Sequence, residues 1–450
     1  MSSLKKIFTW IAIAIPPSSF YFLLARSLNR LPYGDDYGAI LNFLLQWKKE
    51  SGAMHIVEII TFQHNEYKLI FEHAIVGLQY AILGHTDILA LKILGDLFVI
   101  PLFVMLYLIW RDCGRSGEYA LLVFVPVSWI LFQLQYEGTL NYTMAGLETV
   151  PVNVFALLTC LLATKKSRAS FLGSILSLLL CIASNGNGLL MIPIGAIIFL
   201  QQKKFKRLLA WICCSAIACL IYFLNYNFRT VVAINTHTSN DVVSILQNLQ
   251  LTFTLAFLGN IAAILNPWPA VIFGTLLAGI FAFATWDRLF LRHPSLYYSA
   301  LFFFITAIAV SGHRSYFGLS WALNSIYRLY STVLLSLLYL YLADKAYGLR
   351  VRPVVLKACA CAFAALLVGF TFESDRGGQK VLLLKQQRVE VAMLSWERHE
   401  PAPPLIAQSP DDLTVGRESD RSFWPGAREP ILSESIREGI YTLPEIPKGN

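Results

Sequence analysis

Residues 88–111 read ILALKILGDLFVIPLFVMLYLIWR, an apolar run that stops at Arg111, with Arg115 close behind. About 20 apolar residues in helical form rise about 30 Å, the thickness of a bilayer's hydrocarbon core. Runs of the same kind lie near 7–24, 118–135, 147–164, 169–184, 187–201, 208–225, 269–286, 296–312, 327–344 and 353–371. Segments 69–85 and 250–265 are apolar but ambiguous. The first carries Glu72 and His73, and the second leads into Asn266-Pro267-Trp268-Pro269. The expected fold is an all-α polytopic membrane protein of about 11 transmembrane helices, or up to 13 if both ambiguous segments cross.

Composition agrees. Hydrophobic residues make up 56% of the chain and charged residues 14%, against about 25% charged in a soluble domain. The net charge is +8. The basic residues sit in short clusters between apolar runs, the pattern of helix-flanking loops and not of a nucleic-acid surface. Residues 372–450 hold 10 Lys and Arg against 13 Asp and Glu. The chain therefore divides into a basic membrane domain, 1–371, and a mildly acidic tail, 372–450. The eight cysteines show no zinc-type spacing and read as small buried hydrophobes.

Positive charge sets the orientation. Arg111/Arg115, Lys165/Lys166/Arg168, Lys203/Lys204/Lys206/Arg207, Arg288/Arg292 and Lys345/Arg350/Arg352 all fall on the cytoplasmic side if the two ambiguous segments do not cross. Lys5 and Lys6 then place the N-terminus inside, ahead of a retained first helix. Eleven crossings put the tail outside. The outer loops are 25–87, 136–146, 185–187, 226–268, 313–326 and the tail, and chemistry is expected there.

Four polar clusters stand on that face. Asp35 and Asp36 follow the first helix in Leu31-Pro-Tyr-Gly-Asp-Asp-Tyr37. They read as a helix-end turn or as a general base or cation site. Gln63-His-Asn-Glu-Tyr-Lys68 leads into an apolar helix, either as a helix cap or as a hydrogen-bonding shelf for a polyol or phosphate. Asn185-Gly-Asn-Gly188 is a tight turn. Gly312-His-Arg314 and Tyr327-Arg328 put two arginines outside, against the charge trend. Arg328 opens an apolar helix, where an unpartnered cation is costly, and guanidinium suits a phosphate at the membrane surface.

In order and in sidedness, these segments resemble bacterial members of the GT-C superfamily. These are polytopic glycosyltransferases that use polyprenyl-phosphate sugars in the cell envelope, some of them in O-antigen modification. Such sequences often carry Asn-Glu-His-Arg where this chain has Asn65-Glu66-Tyr67-Lys68. The resemblance covers residues 1–371 in layout. It implies a GT-C-like catalytic domain with a long first outer loop, a small periplasmic tail and residence in the bacterial inner membrane. One of Asp36 and Asp35 would be the base, with Asp36 preferred. Arg314, Arg328 and Lys68 would hold the donor phosphate. Gln63, Asn65, Glu66 and Asn187 would contact the sugar.

The implied reaction is an inverting hexosyl transfer from a polyprenyl-phosphate donor to a glycan or lipid acceptor. It needs no cofactor; the adjacent aspartates allow a divalent cation, which a phosphate-linked donor does not require. The partners are the lipid-linked sugar, the acceptor and membrane lipids, with no nucleic acid. The rival readings are a flippase for lipid-linked sugars and a non-catalytic membrane subunit of a polysaccharide assembly system. The loops that hold positions 36 and 314 are expected to lie on the same side of the membrane, which single cysteines in exposed parts of each loop, treated with an impermeant maleimide, would report. Labelling from opposite sides would rule out a shared site.

Overall fold

The computed structural model describes residues 3–49, 52–64, 67–227, 249–263, 267–347, 353–399 and 428–445. Outside them lie Asn65 and Glu66, most of loop 226–268, Arg350 and Arg352, the Pro-rich link Pro401–Pro404 and the segment at Phe423–Pro425.

In chain order the helices are α1 (Ser3–Ala25), α2 (Phe43–Lys49), α3 (Ala53–Ile60), α4 (Ile70–Leu83), α5 (Ile88–Leu97), α6 (Val99–Asp112) and α7 (Gly117–Leu131). There follow α8 (Thr143–Ala163), α9 (Arg168–Ser184), α10 (Met191–Gln201), α11 (Phe205–Phe223), α12 (Leu251–Leu258) and α13 (Pro267–Trp286). The chain continues with α14 (Leu289–Arg292), α15 (Pro294–Arg314), α16 (Ser325–Tyr347), α17 (Pro353–Glu397) and α18 (Glu429–Arg437). Gln63–His64 and Tyr67–Lys68 pair as a short antiparallel ribbon.

This is an all-α membrane protein. Among the described residues, seven helices are long and apolar enough to span: Leu4–Ala25, Ile88–Asp112, Thr143–Ala163, Phe205–Phe223, Pro267–Trp286, Pro294–Phe317 and Ser325–Tyr347. Each corresponds to an expected run. Three other expected runs form shorter apolar helices, Ala120–Tyr136, Arg168–Ser184 and Gly186–Gln201. The ambiguous segments form α4, 14 residues long, and α12, 8 residues long. At 1.5 Å per residue these reach about 21 and 12 Å, short of a hydrocarbon core of about 30 Å.

The loops sort to two ends of the bundle. At one end the basic clusters meet. Asp112 pairs with Lys165 and accepts from Ser295 Oγ at 2.7 Å. Arg207 donates to the carbonyls of Lys165 (3.1 Å) and Lys166 (2.6 Å). Asp344 takes Arg115 and His293, and Asp287 takes Arg292 and Lys345. At the other end gather the acidic loop, the short ribbon, the start of α8, the Asn185 turn and the start of α16. A second, smaller apolar core closes this end. It includes Leu31, Tyr37, Ile40, Leu44, Val389, Met393, Leu432 and Ile440.

Helix α17 joins the two regions. Its 45 residues rise about 68 Å and run without a break through position 371, where the membrane domain was expected to end. Asp375 accepts from the Leu134 N–H at 2.9 Å. One turn further on, Gly378 lies so close to the same residue that a Cβ would stand 2.2 Å from the Leu134 carbonyl oxygen. Gly378→Leu is therefore expected to push α17 off Leu134 and to destabilise the protein by about 1–3 kcal/mol. Gly377→Leu, where a Cβ meets nothing within 4 Å, is expected to melt like wild type. Thermal melting of detergent-solubilised protein by size-exclusion chromatography measures both.

Candidate active site

The acidic loop is folded around Gly34, whose φ of +56° is the left-handed conformation that glycine adopts without penalty. A side chain there would also meet the Tyr142 hydroxyl at 3.1 Å. This turn sends the two adjacent aspartates to different surroundings.

Asp36 is fully buried. Its Oδ2 accepts from the Tyr33 N–H and the Thr143 hydroxyl, and its Oδ1 from the Met144 N–H, all at 3.0 Å. Thr143 and Met144 begin α8, so Asp36 satisfies one of that helix's first N–H groups, and the Thr143 hydroxyl, from a distant loop. Burial holds its carboxyl above the usual range, and the Lys92 ammonium and the three hydrogen bonds offset only part of that rise. Lys92 itself donates to Asn29 Oδ1 and the Leu31 carbonyl, both at 2.9 Å. With its acceptor sites filled by the fold, Asp36 is a clamp.

Asp35 is the accessible one of the pair. Its side chain is 43% exposed and its Oδ1 lies 3.4 Å from Arg428 Nη2. Its N–H donates to the Tyr142 hydroxyl at 2.8 Å. The preference for Asp36 as a base is thus reversed: a proton acceptor needs a lone pair that a substrate can reach.

The clamp also sets the next carboxylate. Glu148 lies four residues beyond Met144, on the same face of α8. It is buried and hydrogen-bonds the Tyr67 hydroxyl and the Asn185 side chain. Burial pushes the Tyr67 phenol well up, so Tyr67 keeps its proton and donates. Glu148 Oε2 has no hydrogen-bond partner among the described residues. Asn187 stands beside this group and donates to the Tyr330 hydroxyl at 3.2 Å; its Oδ1 is likewise unpartnered. Tyr327, one turn before Tyr330, is within electrostatic reach of both Glu148 and Arg314. Asp35, Tyr67, Glu148, Asn185, Asn187, Tyr327 and Arg314 therefore form one polar surface at this end of the bundle.

Three predicted contacts face elsewhere. The Lys68 ammonium is buried and donates to the Leu224 carbonyl at 2.6 Å. Gln63 is paired through both amide atoms with the Asn227 backbone, at 2.8 and 3.2 Å. Both residues secure the ribbon to the end of α11. Arg328 is not joined to Arg314. It turns away from Tyr327 and Tyr330 and binds Asn260 Oδ1 (3.2 Å) and the Gln135 carbonyl (3.0 Å), with Glu137 at 4.0 Å.

On that side of α16 lies a cavity of about 1130 Å³, lined mainly by apolar residues such as Phe273, Leu338, Phe363 and Phe370. It follows α16 from Arg328 to Leu342, about 21 Å along the helix. Arg328, Arg376, Lys380, Glu137 and Glu373 border it, all toward the polar end. Glu137 also borders a small hollow with Tyr33, Tyr142 and Lys385. Since Tyr142 holds Asp35, this hollow lies between the groove and the accessible carboxylate.

No group of His, Cys, Asp and Glu side chains among the described residues is arranged to hold a metal ion. No family model, curated protein or solved structure matches the chain.

Asp36→Ala is expected to leave three buried donors unpaired and to cost about 3 kcal/mol or more, read as a lower melting temperature and less folded protein in the membrane. Asp35→Asn is expected to leave both unchanged.

Proposed function

We propose that the protein is a GT-C-type glycosyltransferase that moves a sugar from a polyprenyl phosphate to a glycan or lipid acceptor. One observation carries this reading. An apolar groove within the bundle ends in Arg328, Arg376 and Lys380, with Glu137 and Glu373 beside them, at the end where an accessible carboxylate stands. An isoprenoid chain fits the groove's lining, and its phosphate fits Arg328, Arg376 and Lys380. The basic end of the bundle would face the cytoplasm, and the polar end the periplasm.

In the proposed reaction the acceptor hydroxyl approaches Asp35 and its oxygen attacks the anomeric carbon. The bond from that carbon to the phosphate oxygen breaks, and its electron pair leaves with the polyprenyl phosphate. The hydroxyl proton passes to Asp35. Arg328, Arg376 and Lys380 would meet the charge that grows on the departing phosphate. Glu148 Oε2 and Asn187 Oδ1, both unsatisfied acceptors, suit sugar hydroxyls, with Arg314 at the far side of the same surface. A single displacement inverts the anomeric centre. The donor is anchored in the bilayer, so alignment with the acceptor does much of the work. The flippase reading is less well supported. The buried Glu72, Lys92 and Glu148 stand in the first two turns of their helices and Asp96 one turn beyond Lys92, and among the described residues these four do not extend across the bundle.

The test is surface-glycan mass spectrometry of a deletion strain and of strains complemented with variants at matched membrane levels. Deletion is expected to remove one sugar. Asp35→Asn is expected to fail to restore it, and the Arg376→Ala/Lys380→Ala pair to slow its return by about 10-fold or more. An unchanged glycan on deletion, or full restoration by Asp35→Asn, would overturn the reading.

A further inference from the structure

The C-terminal segment returns to the acidic loop from nearly 400 positions away and grips it on both flanks. The Tyr441 hydroxyl donates to the Arg30 carbonyl at 3.1 Å, ahead of the aspartates. Lys48, beyond them, donates to the Glu438 carbonyl at 2.6 Å and pairs with its carboxylate at 3.1 Å. The Thr86 N–H donates to the Ile440 carbonyl at 2.8 Å. Leu432 and Ile440 are fully buried in the small core that also holds Leu31, Tyr37 and Ile40. These anchors fix the residue just before α18. Arg428 lies over the Tyr37 ring, 5.8 Å from its centroid, with Nη2 at 3.4 Å from Asp35 Oδ1.

From this geometry we infer that Arg428 is a positioning residue for Asp35: the tail belongs to the working site. The inference rests on the proposed role of Asp35 as base. Arg428 engages Oδ1 and leaves Oδ2 to take the hydroxyl proton. A carboxylate on a partly exposed loop otherwise samples several rotamers, and an ion pair to an anchored guanidinium holds it in one. The pair is itself partly exposed, 31% for Arg428 and 43% for Asp35, so its role is orientation and not stability. Lysine would keep the charge but lose the planar fork.

The experiment follows the rate of sugar incorporation after induction of each variant in the deletion strain, with membrane level and melting temperature measured alongside. Arg428→Ala is expected to slow incorporation between about 10- and 100-fold at wild-type melting temperature. Ethylguanidinium added outside the cells is expected to restore several-fold of that loss. Arg428→Lys is expected to fall between Arg428→Ala and wild type. A purely structural residue would not respond to the added cation. Wild-type incorporation by Arg428→Ala would overturn the inference, as would a deficit that neither ethylguanidinium nor lysine relieves. If Arg428→Ala fails to accumulate, Arg428→Lys decides: a slowed rate at full membrane level supports the role, and a wild-type rate ends it. Asp35→Asn separates the two levels. Should it incorporate normally, the base assignment itself falls; should it be dead while Arg428→Ala is normal, only the inference falls.

Discussion

The polar end of this protein depends on one buried carboxylate. Asp36 takes two backbone N–H groups and a hydroxyl, and so ties the loop after α1 to the first turn of α8. A buried carboxyl group is tolerable only when its lone pairs are met. Here they are met by groups that also need a partner, namely the unpaired donors of a helix start and of a tight turn. From that junction the rest follows by chain geometry. Gly34 turns Asp35 outward, Tyr142 receives its backbone N–H, and Glu148 comes to lie one turn below the junction. Lys92, reaching from α5 to Asn29 and Leu31, keeps the loop's preceding residues in register.

Charge divides the molecule as clearly as hydropathy does. Asp112, Asp287 and Asp344 pair with some of the basic side chains, so that end is cross-braced and still carries an excess of positive charge. The other end keeps unsatisfied acceptors on Glu148, Asn187 and Glu72. Native proteins leave few buried polar atoms unpaired, and several gathered in one region mark where an outside molecule can supply the donors. The groove adds a second surface, apolar along its length and charged at its mouth, where three cations stand with Glu137 and Glu373.

Much of this was legible in the sequence. Apolar run lengths and the spacing of Lys and Arg gave the helices, and they gave the grouping of the loops at two ends, because both are one-dimensional signals. The aspartate pair and the Asn185 turn were visible as polar islands. What a linear reading cannot supply is direction. Nothing in Asp35-Asp36 says which carboxylate turns inward, since that is decided by Thr143 and Met144 more than a hundred positions away. Lys68 and Gln63 looked like ligands but serve the backbone of Leu224 and Asn227. Arg314 and Arg328 looked like a pair, yet a 100° step from Tyr327 turns Arg328 to the other side of α16. Glu148 carried a usable signal, a carboxylate at the start of an apolar helix. Arg428 carried none, because its partner is set by how the tail folds back.

Helix α17 has a mechanical consequence. Its residues from Phe363 to Leu384 form one wall of the groove, while Val389 and Met393, further along the same rod, belong to the core beneath the acidic loop. Within that wall it rests on Leu134 through Asp375 and Gly378. An unbroken rod carries a displacement along its length, so anything wedged into the groove would also shift the small core beside the aspartates.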